Sequence, residues 1–257
     1  MISLSQQYFQ IIPRFNLLFV PPGEADFLLH LPDLYHELAH PLLLPSHNQS
    51  VTPFQLNLIK SIDDGIAYYD LEIMKEKRRR SPELLQLYLS NWRNSWWQWV
   101  VEFFCDLFAV YTLGPAYAWS HLHLVTKYGR DIFNVPKFTT SSHPPDDARM
   151  RVIIFGLKLI GYVTISQEIQ KKWLHLSVIT NAKATPEYNR AFPDQLLRKV
   201  AELAFDGVQG MQCRLANINT KDTIHSTLND AWSQFWSNPD KYIFWEEQIV
   251  INLKSLT

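Results

Sequence analysis

The sequence is poor in the residues that build disulfide frameworks, phosphate-binding loops and strongly charged surfaces. Only two of its 257 residues are cysteine, and eight are glycine. Two cysteines do not make a disulfide framework, and we expect Cys105, which lies in an apolar stretch, to be a buried free thiol. The formal net charge of −1 provides no overall field that would attract nucleic acid, so we predict no nucleic-acid partner.

The sequence also lacks a targeting signal and an uninterrupted apolar segment. Its first residues contain no basic segment followed by a long apolar run, which makes a cytoplasmic location the expectation. The most apolar stretch, residues 96–119, carries Glu102 and Asp106 and is interrupted by Gly114-Pro115. A charged side chain at the centre of a bilayer costs about 3 kcal/mol, so we predict a buried helix and no membrane span. The two acids then need partners inside the protein.

Apolar residues at helical spacing are abundant, which predicts a mainly α fold with a minor strand element, an α+β class. We predict a short strand at residues 14–20 and a loop at 129–148. The predicted helices cover residues 25–44, 53–76, 82–93, 95–119 and 148–162, and a last short strand covers residues 249–251. We divide the chain into a domain at 1–162 and a helical C-terminal region at 163–257 that packs on it or caps it.

The pentapeptide HELAH at residues 36–40 is the strongest chemical signal in the sequence. On a helix, positions i and i+4 face the same side, so His36 and His40 present their imidazoles to one point. Two imidazoles from one rigid turn supply half of many zinc sites. Glu37 then lies beside the metal, where it can take a proton from a bound water. A helix with two ordinary surface or core histidines is the alternative interpretation.

A third ligand is available in the predicted buried helix. Glu102 and Asp106 are four residues apart there, so both carboxylates share one face. Catalytic zinc sites of this kind use two histidines and one glutamate and leave a fourth position for water. We therefore assign Glu102 to the metal and Asp106 to a hydrogen bond that orients a ligand histidine. Pairing of both acids with arginine or lysine is the alternative.

Three motifs, in this order, resemble those of the gluzincin metallopeptidases. They are HELAH at 36–40, EFFCD at 102–106, and HPP at 143–145 followed by Arg149. The third is similar to the His-Pro motif of the branch that contains the CAAX prenyl proteases and the heat-shock peptidases. The resemblance implies a zincin-like metallopeptidase core with one Zn²⁺ per chain. It also implies that His143 stabilises the oxyanion and that Arg149 supports the substrate carbonyl or the site itself.

The chain departs from that branch in three respects. Members often carry transmembrane helices, and we predict none here. Pro41 follows the second histidine directly, whereas the zinc helix of the branch usually runs on, so we expect this helix to end or kink soon after His40. Little chain precedes the zinc helix, and the edge strand that aligns a peptide substrate must therefore come from residues 14–20.

The residues and the resemblance together predict a zinc metalloendopeptidase that acts on a protein or peptide substrate. Glu37 is the expected general base and then general acid, and a regulatory protein partner is compatible with this activity. The alternative is a catalytically silent protein-interaction module of the same fold, in a stress, toxin or defence system. Hydrolysis of a non-peptide amide at the same site is a third hypothesis.

The remaining histidines form no second metal motif that we would assign. His121-Leu122-His123 could bind a metal only in an extended segment, because alternate residues of a helix do not face each other. We therefore expect these two histidines to lie at the surface.

Overall fold

The structure is a computed structural model that describes residues 2–4, 9–15, 17–20, 27–44, 50–128, 131–220 and 223–255. Over these residues the fold is mainly α, as predicted, with one small sheet. The strands are β1 (Ile2–Leu4), β2 (Gln10–Ile12) and β3 (Leu17–Val20). The helices are α1 (Leu31–Leu43), α2 (Pro53–Arg79), α3 (Glu83–Leu113), α4 (Pro115–Tyr128), α5 (Asp146–Leu159), α6 (Val163–Ile179), α7 (Pro186–Ala191), α8 (Asp194–Gly210), α9 (Thr223–Ser237) and α10 (Pro239–Lys254).

The sheet has the order β1-β3-β2, with β1 parallel and β2 antiparallel to β3. The predicted strand at 14–20 is correct for residues 17–20, whereas Pro13–Phe15 form a 3-10 turn. This turn connects β2 to β3 and brings β2 against α1. The strand beside the helix that carries HELAH is therefore β2, which the sequence analysis did not predict.

Helix α1 begins with Pro32 in its first turn, where a missing backbone N–H is harmless. It continues through Pro41 and ends at Leu43, soon after His40 as expected. The prediction of a helix from residue 25 is wrong for residues 27–30, which form an extended residue and a turn. Residues 25 and 26 lie outside the described part of the chain.

Helix α3 is the centre of the core, and its bounds correct the prediction of two helices that meet near residue 94. Ser95 lies within this continuous helix, and its hydroxyl donates to the carbonyl of Asn91, four residues earlier. The chain instead breaks at Gly114, whose φ of 68° is a conformation that favours glycine, and Pro115 then begins α4. Both the buried acids and the apolar side chains around them lie on the longer helix α3.

Helices α2 and α3 approach closely at one glycine. A Cβ at Gly65 would lie 1.8 Å from Nε1 of Trp96, and that indole nitrogen donates to the Ser61 carbonyl at 3.1 Å. Gly65 therefore makes room for a fully buried tryptophan. The contact fixes the depth of α3, and with it the position of its acidic face.

The later helices hold the earlier ones in place. Helix α8 packs on α2, α3 and α5. Asn229 of α9 donates to the Leu113 carbonyl at 2.9 Å and accepts from the Ala116 amide at 3.0 Å, so it bridges the break between α3 and α4. Glu246 of α10 accepts from the Leu28 amide at 2.7 Å, just before α1 begins.

Three sequence expectations have different outcomes in this part of the chain. The predicted strand at 249–251 is wrong, because these residues belong to α10. The division of the chain at residue 162 stays a prediction. None of the described helices combines the length and the apolarity that crossing a bilayer requires.

Candidate metal centre

The two motif histidines and the two motif acids meet where α1 packs on α3. The Nε2 atom of His36 lies 3.4 Å from Oε2 of Glu102, and Nε2 of His40 lies 3.9 Å from Oε1 of the same carboxylate. Ligand atoms about 2.0–2.2 Å from one tetrahedral zinc ion lie roughly 3.3–3.6 Å apart. The two histidine–carboxylate distances are therefore close to those between two ligands of one metal ion.

Asp106 fixes the orientation of the His36 ring. Its Oδ1 lies 2.8 Å from Nδ1 of His36, which leaves Nε2 on the side of Glu102. Arg149 donates to the same carboxylate twice, from Nε at 2.8 Å and from Nη2 at 2.6 Å. Asp106 and Arg149 are thus a bidentate pair behind the histidine, which is an arrangement that orients a metal ligand.

Tyr117 completes this support, and sequence reasoning missed it. Its hydroxyl donates to Asp106, and its ring stacks on His36 with a centroid distance of 6.2 Å and an interplanar angle of 8°. No spacing rule identifies Tyr117, because it lies on α4 and reaches the site only through the break at Gly114-Pro115. The one sequence signal for this position was Pro115, which marks the start of a new helix just before Tyr117.

The charges of the centre suit a cation. Burial alone would lower the pKa of His36, but its hydrogen bonds with Asp106 and Glu102 outweigh burial and raise this pKa to about 10. Burial and the nearby His36 charge lower the pKa of His40 to about 4, so its ring is neutral. Burial opposes ionisation of Glu102, but His36 lowers its pKa to about 2. The centre therefore offers one neutral imidazole and one carboxylate at neutral pH.

A further possible metal ligand, the thiol of Cys105, lies close to the imidazoles of His36 and His40. Ligand atoms of His36, His40 and Cys105 lie within 4.8 Å of one another, so this group could hold a metal ion. Cys105 is a free, fully buried thiol, as expected from the sequence, although we did not predict it as a ligand. Burial and the charges of Glu102 and Asp106 hold the pKa of this thiol well above its usual range. Its position, three residues after Glu102 on α3, was a signal for a shared face.

A cavity of about 320 Å³ opens beside the histidines. Glu102 borders it, whereas Cys105 is not among the described residues of its wall. Glu37 also borders the cavity, and its Oε2 accepts from the backbone amide of Ile11 in β2 at 3.0 Å. Burial raises the pKa of Glu37, and the charge of His36 and this backbone bond oppose the shift. The strand at the cavity is thus β2, and the expectation that residues 14–20 supply it is wrong.

The third motif, HPP at 143–145 with the following Arg149, places His143 and Arg149 near the centre in different ways. His143 lies in the loop before α5, its side chain is 66% exposed, and its Nε2 lies 3.8 Å from Oε2 of Glu102. The Ser142 hydroxyl lies 2.8 Å from its Nδ1. Arg149 borders the cavity, yet its guanidinium is engaged with Asp106. The geometry therefore gives Arg149 a supporting position, and both predicted roles stay predictions.

The expected surface position of His121 is wrong. This residue is 2% exposed, lies on the helix α4 and borders the cavity. His123, on the same helix, is partly buried and contacts the rings of Trp232 and Phe235. The segment around both residues folds as the helix α4, and His121 is buried because it lies on the face of α4 that packs against the protein.

No protein-family model, no characterised protein and no solved structure matches the chain significantly.

Proposed function

We propose that the protein is a zinc-dependent endopeptidase whose centre is similar to that of the gluzincins. The observation that carries this proposal is the convergence of three donors at one cavity, with a further carboxylate beside them. The donors come from His36, His40 and Glu102. The Nε2 atoms of the two histidines lie 3.4 and 3.9 Å from the Glu102 carboxylate, and Glu37 borders the same cavity. Three protein donors with one open position are the pattern of a catalytic rather than a structural zinc site.

Glu102 is a better third ligand than Cys105 for this activity. Its carboxylate is ionised and borders the cavity, so a metal held by it stays open to solvent and substrate. The Cys105 thiol is fully buried and is not among the described residues of the cavity wall, so a metal held by it would be less open to substrate. One zinc ion bound by His36, His40 and Glu102 would polarise a carbonyl and lower the pKa of its water toward about 7.

Glu37 is the proposed general base. Its carboxylate faces the cavity and is held by the Ile11 amide, which fixes one oxygen and leaves the other for a water proton. The same group can return that proton to the leaving amine. His143 is exposed at the cavity edge and can donate to the oxyanion, while Asp106 keeps the His36 ring in place.

A peptide is the substrate that this cavity best accommodates. Strand β2 borders it with Gln10 and Ile11, next to Glu37. In the sheet β2 pairs with β3 on one side, so its other edge lies on the side of α1. An extended backbone can hydrogen-bond along such an edge, which is a common way to bind peptides. The Ile11 amide already donates to Glu37, so a peptide would use the other backbone groups of this edge.

The test of this function is the substitution Glu37→Gln, which keeps size and hydrogen bonding but removes the base. We expect metal content to stay near that of the wild-type protein and cleavage of a peptide library to fall by at least about 100-fold. The exposed Glu83 on α3 provides the control, and Glu83→Gln should change neither quantity. Metal analysis and mass spectrometry of the digest measure both. Wild-type cleavage by Glu37→Gln would remove Glu37 from the mechanism.

The excess of aromatic residues, 14% of the chain, slightly favours the rival proposal of a silent interaction module, because exposed tryptophan and tyrosine are enriched at interfaces. Much of that excess lies in the core, because Trp92, Trp96, Trp99 and Trp232 are fully buried. Exposed apolar side chains do occur on α10, where Phe244 is 73% exposed. A protein that binds zinc stoichiometrically yet cleaves no peptide in the library would favour the module over the enzyme.

A further inference from the structure

One side of the cavity contains an imidazole nitrogen that the fold leaves without a partner. His121 of α4 is 2% exposed, and its Nε2 has no hydrogen-bond partner among the described residues. The ring stacks on Trp173 at a centroid distance of 6.2 Å, a contact that an apolar ring would make equally well. Burying a polar atom without a partner is unfavourable. The ring borders the cavity, and because Nε2 itself has almost no accessible surface, a partner that enters from the cavity must displace the ring slightly to reach it.

The tautomer of His121 makes this nitrogen an acceptor. The backbone of Asp146 hydrogen-bonds the ring, and because Nε2 has no partner, that bond belongs to Nδ1. Burial, and then the charge of Arg149, lower the pKa of His121 to about 4, so the ring is neutral. A neutral imidazole that donates from Nδ1 presents a lone pair at Nε2. The missing partner is therefore a hydrogen-bond donor.

A carboxylate borders the same cavity. Asp33 is three residues before His36 on α1, is partly buried and borders the cavity. Its Oδ1 accepts from the hydroxyl of Ser120 at 2.8 Å, and Ser120 is the residue next to His121. Asp33, His121 and Leu124 thus all border this cavity.

We propose that Asp33 and His121 form a substrate subsite that binds a basic side chain, lysine or arginine, next to the metal centre. Both groups accept hydrogen bonds. Burial raises the pKa of Asp33, whereas its bond from Ser120 and the positive charge of Arg149 favour the carboxylate, which is the form that adds a negative charge. An ammonium or guanidinium group brings several donors and the complementary charge, and Leu124 can contact its aliphatic stem. This subsite rests on the proposed peptidase function, because it names the side chain that the peptide presents.

The first experiment compares peptides that differ only in one charged donor. Metal-loaded full-length protein is given peptides with lysine or its uncharged isostere norleucine at each position around the cleaved bond. We expect one position at which kcat/KM for lysine exceeds that for norleucine by at least about tenfold. Asp33→Asn and His121→Phe should each reduce this ratio about tenfold, whereas the exposed-residue control His175→Phe should preserve it. Equal cleavage of both peptides, or an unchanged ratio in the variants, would overturn the subsite.

The second experiment decides the subsite even if no peptide is cleaved. The probe is N-butylguanidinium, with butyrate as the matched anion, added to metal-free full-length protein labelled with ¹⁵N-histidine. N-butylguanidinium should shift the Nε2 resonance that disappears in His121→Phe, butyrate should not, and Asp33→Asn should weaken the binding about tenfold. An unmoved resonance, or equal shifts with both probes, would show that this side of the cavity is structural only. Failure of the peptidase itself is read separately, from wild-type protein that cleaves nothing.

Discussion

Helix α5 contributes one arginine to each of two clusters around a buried aspartate, and the two clusters behave differently. The first, which we call the centre cluster, contains Asp106, Arg149, Tyr117 and His36. Arg149 forms a bidentate pair with Asp106 at 2.6 and 2.8 Å, and His36 approaches the same carboxylate at 2.8 Å. Two cationic partners hold the pKa of Asp106 far below its usual range, even though burial opposes this.

The second, which we call the rear cluster, contains Asp147, Arg151, Tyr188 and Trp173. Asp147 accepts from Nε1 of Trp173 at 2.7 Å and from the hydroxyl of Tyr188, while Arg151 stays 4.0 Å away. With mostly neutral donors around it, burial raises the pKa of Asp147. Arg151 instead pairs with Asp194 at 2.5 Å. It also donates to the Tyr188 hydroxyl at 3.0 Å and the Phe192 carbonyl at 2.9 Å.

The difference teaches which buried charges indicate function. In the rear cluster, the acid and the arginine bond mainly to side chains and backbone that join α5, α6 and α7, so its bonds stabilise the fold. In the centre cluster the bonds orient a ring whose second nitrogen faces another carboxylate at a cavity. A buried acid near an arginine is therefore not by itself a sign of a site.

The largest expected difference between the clusters is in metal affinity. Asp106→Asn should weaken zinc binding about 10- to 100-fold, because the bond that orients His36 is lost. It should also lower the free energy of unfolding by about 3 kcal/mol, since Arg149 keeps a buried charge without its partner. Asp147→Asn should lower stability by about 1–2 kcal/mol and leave zinc affinity unchanged.

Zinc titration calorimetry and chemical denaturation measure these two quantities. Equal effects of the two substitutions on zinc affinity would contradict the assignment of Asp106 to the metal centre.

Proton release on metal binding is a second property that should distinguish the centre cluster from the rear cluster. At pH 6.5 His36 is charged, because its pKa is raised to about 10, and His40 is neutral, because its pKa is lowered to about 4. Zinc must displace the proton on Nε2 of His36, so we expect about one proton released per zinc. Affinity should therefore rise with pH, about tenfold per unit above pH 6.5, until His36 itself titrates.

Calorimetry in two buffers with different protonation enthalpies counts the released protons. An affinity that does not change between pH 6.5 and 8 would mean that His36 is already neutral in the metal-free protein.

Removal of one tyrosine hydroxyl from each cluster should give the smallest effects. Tyr117→Phe and Tyr188→Phe each remove a hydrogen bond to a buried aspartate and should lower the free energy of unfolding by about 1 kcal/mol. Tyr117→Phe should also weaken zinc binding by a few-fold, because Asp106 holds His36 less firmly. A loss of zinc affinity in Tyr188→Phe would indicate that the two clusters are coupled through α5.

The sequence predicted those parts of the centre that repeat at helical spacing. His36 and His40 are one turn apart on α1, and Glu102 and Asp106 are one turn apart on α3, so each pair shares a face wherever its helix lies. That the two faces meet was inferred from the burial of the acids and the resemblance. Cys105 shares the acidic face of α3, yet its apolar neighbours suggested only a buried thiol.

The residues that sequence analysis missed depend on the path of the chain. Tyr117 and His121 reach the centre because Gly114-Pro115 turns α4 back across α1, and the prediction placed the helix break near residue 94 instead. Strand β2 was missed because residues 10–12 are a short apolar run, and only their pairing with β3 makes them a strand. Such contacts come from tertiary packing, which no local pattern contains.

The central claim is that His36, His40 and the Glu102 carboxylate hold a divalent metal at the cavity. X-ray absorption spectroscopy of the zinc-loaded protein tests it most directly, because zinc–nitrogen and zinc–oxygen distances are about 2.0–2.2 Å and zinc–sulfur distances about 2.3 Å. We predict a nitrogen and oxygen shell with two imidazoles and no sulfur, unchanged in Cys105→Ser and lost with the metal in Glu102→Gln. A sulfur contribution that disappears in Cys105→Ser, or a purified protein that binds no zinc, would contradict the claim.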